Sequence, residues 1–380
     1  MSPSFRRVRA LALAGFIFAA VGSLHAQSFL SLGAQYNGWA ANSIAPFNGH
    51  EIMAPFDIGF QMDKDWNLYG QTAFANGSYT DSVSGTETLN LTAMSDSVIG
   101  TGINFQMFGT PALFDLAVNI PTGDPSWEVK EGASNVPTEF IDTRYVGAGF
   151  GMSAMYGLAF PNGKIDWGVA AAYYYSGALS PDYGSIPSSE KLGDSFLLGL
   201  NRTESFDNNK NSVIRFSASD FLTTQISGAD TLRLGPNLNL SYAFNDPKGL
   251  SYEIGGQFFL PADRLYGGTL SMEPHDSLGQ RFYLSPSLAL GGDWSVGGMV
   301  KYITPNGYSP SDPSALYDGG GFLFGLTPSY AWKWDAASTL TLSASYDFII
   351  HHDAGFDAGG GRLDLDYSYW TIGATYGVKL

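Results

Sequence analysis

From Gln27 onward the chain alternates apolar and polar positions with a period of two, most clearly over Tyr145–Tyr175. There Val146, Ala148, Phe150, Met152, Ala154, Tyr156, Leu158 and Phe160 share one parity, against a row made mostly of glycine, alanine and serine. After Pro161-Asn162-Gly163, the apolar row resumes with Ile165, Trp167, Val169, Ala171, Tyr173 and Tyr175. Successive side chains of a strand point to opposite faces, so each segment has one greasy face and one small or polar face. Asn-Gly is a strong hairpin signal, and Pro161-Asn162-Gly163 is expected to reverse the chain. The rows exceed the usual strand of about 5–6 residues and reach the roughly 9–11 that a strand needs to cross a bilayer.

The same rhythm recurs along the chain. Ile52, Ala54, Phe56, Ile58, Phe60 and Met62 form one row, after a loop expected over 37–50. Leu89 through Met107 reads as a single parity, and Thr231–Phe244 is unusually regular. In all, sixteen strands are expected, joined alternately by tight turns and longer loops. The weakest are Leu68–Phe74 and the segment near Ile214, so fourteen is the alternative count. Short turns at one end and long loops at the other mark an antiparallel transmembrane β-barrel, the predicted all-β fold of residues 27–380. A hairpin within a secreted soluble β-protein is the competing architecture.

Composition agrees with a barrel. Charged residues make up only 14%, yet no stretch beyond the N-terminus is long and apolar enough for a membrane-spanning helix. Residues 1–26 carry Arg6, Arg7 and Arg9 ahead of an apolar run, the form of a secretory signal peptide with a cleavage point near Ala26. Its removal would take three units of positive charge from a chain whose formal charge is already −16. That balance argues against nucleic acid as a partner. With no cysteine, neither disulfides nor thiolate metal sites are available. No cofactor is expected.

Trp66, Trp167, Trp294, Trp332, Trp334 and Trp370 fall near strand ends, where amphipathic rings form interfacial girdles. Pro236, Pro286 and Pro328 sit inside strands on the apolar parity, where bulges are expected because proline removes a ladder bond. The last strand alternates through Trp370, Ile372, Ala374, Tyr376 and Val378 to Leu380, as a segment read by the barrel-assembly machinery would.

If the apolar parity faces lipid, the other faces the lumen. It carries Asp57, Asp115, Asp166, Glu253 and Asp347 against Arg215, Arg233, Arg281, Lys301 and Lys333, the candidate pore lining. These charges either brace the wall or create a transverse field that selects solutes. Tyr69, Tyr145, Tyr174, Tyr283 and Phe259 share the parity, as filler or as a track for aromatic solutes. The expected function is passive passage of small solutes through the cell outer membrane. The alternative is a structural or adhesive barrel acting through its outer loops.

Val118-Asn119-Ile120-Pro121-Thr122-Gly123-Asp124, followed by a Gly-rich strand, an Asn-Gly turn and an aromatic-rich strand, resembles the Leu-Pro-Thr-Gly-Asp type of turn in transporters of the phenol meta-degradation pathway family. These are related in style to fatty-acid and hydrocarbon channels. The resemblance implies uptake of small molecules, aromatic or hydrophobic ones among them. The fatty-acid channels carry an N-terminal plug segment before the barrel, whereas here the first strand is expected within a few residues of Gln27, so no plug is expected.

Catalysis is not expected. His275-Asp276 and His351-His352-Asp353 fall in predicted outer loops without diagnostic spacing. Asp353 and Asp357 lack a calcium-loop pattern.

Overall fold

The computed structural model describes residues 28–41, 48–80, 88–123, 150–176, 178–179, 190–191, 194–206, 211–226, 230–259, 262–266, 269–275, 280–304, 320–356 and 362–380. The signal-peptide segment, Tyr145 and Asp357 lie outside the described residues, as do the side chains of His275, His351, His352 and Asp353.

Among the described residues every element is a strand. The first eight are β1 (Phe29–Ala41), β2 (Asn48–Gln61), β3 (Trp66–Thr80), β4 (Thr88–Met94), β5 (Ser97–Met107), β6 (Thr110–Ile120), β7 (Gly151–Asn162) and β8 (Ile165–Ser176). Then come β9 (Ala178–Leu179), β10 (Glu190–Lys191), β11 (Ser195–Ser205), β12 (Ser212–Ile226), β13 (Asp230–Asn245) and β14 (Leu250–Phe259). The last are β15 (Ala262–Tyr266), β16 (Thr269–His275), β17 (Arg281–Gly291), β18 (Trp294–Ile303), β19 (Gly321–Lys333), β20 (Ser338–Phe356) and β21 (Arg362–Lys379).

Sixteen of these form one antiparallel wall: β1–β3, β5–β8, β11–β14 and β17–β21. The wall closes because β1 pairs with β2 on one side and with β21 on the other. Closure removes sheet edges, the condition for a sheet to exist in lipid. The two weakest predicted strands are present as β3 and β12. Beyond the wall, β4 continues β5 along β3, the β15–β16 hairpin extends the sheet above β14, and β9 pairs with β10.

The outward face has the side chains the rhythm assigned to it. Ile52, Phe74, Ile103, Leu198, Ile254, Leu284, Phe324 and Ile372 are exposed hydrophobics. They pack on no second sheet, which water would not tolerate and lipid requires. Trp66, Trp167, Trp294, Trp332 and Trp334 ring the short-turn end. Trp370, Tyr36, Tyr173 and Tyr346 stand toward the other end, Trp370 lying over Gly38 of β1.

Several boundaries differ from the sequence reading. β1 and β2 run to Ala41 and from Asn48, into the expected loop, since a polar extension above lipid lacks apolar alternation. The hairpin between β7 and β8 closes with Asn162 opposite Ile165, so the reversal is centred on Gly163 (φ 69°) and Lys164. Phe108 (φ 52°) and Gly109 (φ 79°) make the β5–β6 turn, both left-handed as a tight hairpin needs.

The single parity expected over Leu89–Met107 is broken. Thr92 and Met94 align with Asn76 and Phe74, whereas Ile99 aligns with Gly70, because Ser95 and Asp96 form an extra step. Pro236 lies at a bulge, since the β12–β13 register shifts between Ser219 and Phe221. Pro286 and Pro328 do not. The register passes them unshifted and, on one side only, the rungs of each proline and of the residue before it are missing, since a strand can lose one donor without gaining a residue.

Candidate functional site

The ladder register places nine of the ten candidate charges on the inward row. Asp57 lies opposite Ser31, Asp115 opposite Gly102, Asp166 opposite Thr203, and Arg215 opposite Ser241. Glu253 lies opposite Ser285, Arg281 opposite Ile303, Lys301 opposite Leu323, Lys333 opposite Thr339, and Asp347 opposite Gly325. Arg233 is the exception. The Pro236 bulge reverses parity above it, setting Arg233 opposite Leu222, which pairs with outward Phe196. The Arg233 side chain lies outside the described residues.

Charge is not confined to the inward row. Arg202 and Glu204 lie on the outward side near the short-turn end, where they pair with each other. The Arg202 guanidinium sits over the Trp167 ring at 5.2 Å. Asp220 is also in the outward row, opposite Leu198. Arg202 and Glu204 stand at the girdle, where a charge on the lipid side costs far less than at the midplane.

Around the wall the inward charges sort by arc. From β12 to β19 the candidate charges are Arg215, Arg281, Lys301 and Lys333, with Glu253 the one acid among those candidates; Asp220, Asp230, Asp263 and Glu273 are further acids on described strands of this arc, Asp220 in the outward row. From β20 through β1 to β8 come Asp347, Glu51, Asp57, Asp115 and Asp166, with Lys379 at the last rung. Strand position in a barrel is angular position, so acids face bases across the lumen.

Two acids are tied down by tyrosines. Tyr69 on β3 donates its hydroxyl to Asp115 Oδ1 on β6 at 2.9 Å, crossing β5. Tyr283 on β17 donates to Glu253 Oε1 at 2.7 Å, and Arg215 Nη1 donates to Glu253 Oε2 at 3.1 Å. The aromatic rings lie over glycines. A Cβ on Gly100 would collide with the Tyr69 ring, and one on Gly255 would stand 2.7 Å from Tyr283 Cζ. Asn67 covers Gly102, Asn201 covers Gly168, Tyr174 covers Gly151 and Asp347 covers Gly325 in the same way. Thus the small residues of the inward face are surfaces on which neighbours' side chains lie.

Two further features carry no signal in a two-residue rhythm. Toward the long-loop end, Asn37 donates to Glu51 Oε1 at 2.6 Å and accepts from Gln35 (2.7 Å) and Thr371 (3.0 Å), with Trp39, Met53 and Tyr367 also buried. The Ser95–Asp96 step grips the Pro-Thr-Gly root of the loop after β6. Asp96 Oδ1 accepts the Gly123 N–H at 2.8 Å and Oδ2 accepts Asn119 Nδ2 at 2.7 Å. Thr122 donates to the Ser95 carbonyl at 2.7 Å. Among the described residues, no group of acids and histidines is arranged to hold a metal.

A closed sixteen-strand wall, bare and apolar outside, polar inside and ringed by tryptophan, is an outer-membrane β-barrel. Among solved structures the chain is similar to OmpT, an outer membrane protein of Vibrio cholerae (11% identity, 92% of this chain and 96% of that one, TM-score 0.45). It is also similar to OccK5 (OpdH) of Pseudomonas aeruginosa (9% identity, 93% and 98%, TM-score 0.46) and to an anion-selective porin from Comamonas acidovorans (12% identity, 93% and 100%, TM-score 0.42). No family model matches the sequence, and no curated protein matches it.

Proposed function

We propose that this protein is an outer-membrane channel through which small solutes pass passively, oriented in transit by the field between its two charged arcs. The observation that carries this reading is the sorting of inward charges, with Arg281 and Lys301 on one side and Asp57 and Asp115 on the other. Within this arrangement Arg215 pairs with Glu253, and Lys333 with Asp293 at the short-turn end. A low-dielectric shell concentrates the field between separated arcs in the lumen. The inward phenols of Tyr69 and Tyr283 support aromatic solutes as cargo, whereas Phe259 is buried beneath the Arg281 guanidinium at 5.4 Å. Residues 1–26 act as the export signal, and the terminal strand is read during barrel assembly.

Planar-bilayer recordings test the channel. Open-channel currents are expected, and a folded but silent barrel would favour the structural or adhesive role. Replacing Arg281 and Lys301 together by Glu is expected to move the reversal potential toward cation selectivity. Replacing Asp57 and Asp115 by Lys should move it the other way. Unchanged reversal potentials in both would remove the arcs from the pathway.

A further inference from the structure

We infer that Tyr69 and Tyr283 are straps that set the bore of the channel, and that Gly100 and Gly255 are the residues that let them lie flat. This rests on the channel reading above. Side chains of a strand stand roughly perpendicular to the sheet, which on this inward row means into the lumen. The two phenols instead run along the wall. Tyr69 reaches Asp115 across the whole of β5, whose inward positions there are Gly100 and Gly102. Tyr283 lies over Gly255 and reaches Glu253, whose other oxygen takes Arg215 from beyond β13, where Ser241 and Ala243 leave the way clear.

Each strap does two things. It removes a ring from the cross-section of the lumen, and it holds a carboxylate against the wall. A side chain on either glycine would occupy the ring's place, and the phenol would then swing into the pathway. The glycines of the inward row therefore act on permeation through residues of neighbouring strands.

The test compares four proteins in planar bilayers: the natural chain, Gly255→Val, Tyr283→Ala, and the double variant. Gly255→Val is expected to conduct less than the natural chain, and the double variant to recover the conductance of Tyr283→Ala. A Gly255→Val channel with natural conductance, or a double variant as low as Gly255→Val, would overturn the inference. Gly100→Ala with Tyr69→Ala gives the same comparison on the opposite wall if Gly255→Val does not fold.

A labelling experiment does not depend on current. The chain has no cysteine, so Ser241→Cys, beneath the Tyr283 strap, reports alone. A water-soluble thiosulfonate should react faster when Tyr283→Ala is added, and equal rates would contradict the strap. A silent natural protein that still shows this acceleration would count against the channel and leave the strap standing.

Discussion

The two faces of the wall are built by opposite rules. Outside, one requirement governs the row: Leu284, Ile254 and Phe324 are large, apolar and bare, and the paired charges Arg202 and Glu204 stand only at the girdle beside Trp167. Inside, residues act in sets that cross strands, such as Tyr69 with Gly100 and Asp115, or Arg215 with Glu253 and Tyr283. A solvent that makes no hydrogen bonds enforces a uniform row. A polar lumen allows glycine, charge and aromatic rings to be combined. The consequence is that outward substitutions should change stability and inward ones should change permeation.

The largest effect is expected from Leu284→Arg, in the outward row of β17. A cation near the bilayer midplane costs about 2–4 kcal/mol, whereas Ser285→Arg, one residue along and facing in, should cost little. Denaturant titration of the two refolded variants in the same vesicles checks the contrast, and equal losses would erase the distinction between the faces.

Next is Asp96→Ala at the loop root. It leaves the Gly123 N–H and the Asn119 amide without their acceptor, at about 1–3 kcal/mol if they stay buried. Asp96→Asn, which keeps an oxygen, should recover part of the loss in the same titration.

Smallest is Asp335, in the exposed turn between β19 and β20. The N–H groups of Ala337 and Ser338, then the Ser338 hydroxyl, hold its carboxyl below the ordinary aspartate value. A depressed folded pKa stabilises above the unfolded pKa of about 3.9, and that contribution fades as pH falls through the folded value. Asp335→Ala should therefore be slightly less stable than the natural chain at neutral pH and equal to it in strong acid.

The outward face was legible in the sequence because lipid demands a large apolar residue at every second position. The strand number followed from that demand, even at β3 and β12. The inward face was legible only as parity, and parity fails where one strand takes an extra residue. Ser95–Asp96 and Pro236 are such places, and the second moved Arg233 off the row it was expected to share with Arg281. The straps left no mark at all, because Gly100 and Tyr69 become neighbours only once β3 and β5 are paired. Strand extensions such as Asn48–Glu51 were missed for a simpler reason, that above the lipid nothing selects for alternation.

The most direct measurement is a cysteine scan of β17 from Phe282 to Leu288 in lipid vesicles, in a chain that has no cysteine of its own. A membrane-impermeant thiol reagent should label positions 283, 285 and 287 and spare 282, 284, 286 and 288. Labelling without alternation, or of the even positions instead, would contradict a wall with lipid on one side and an open aqueous lumen on the other.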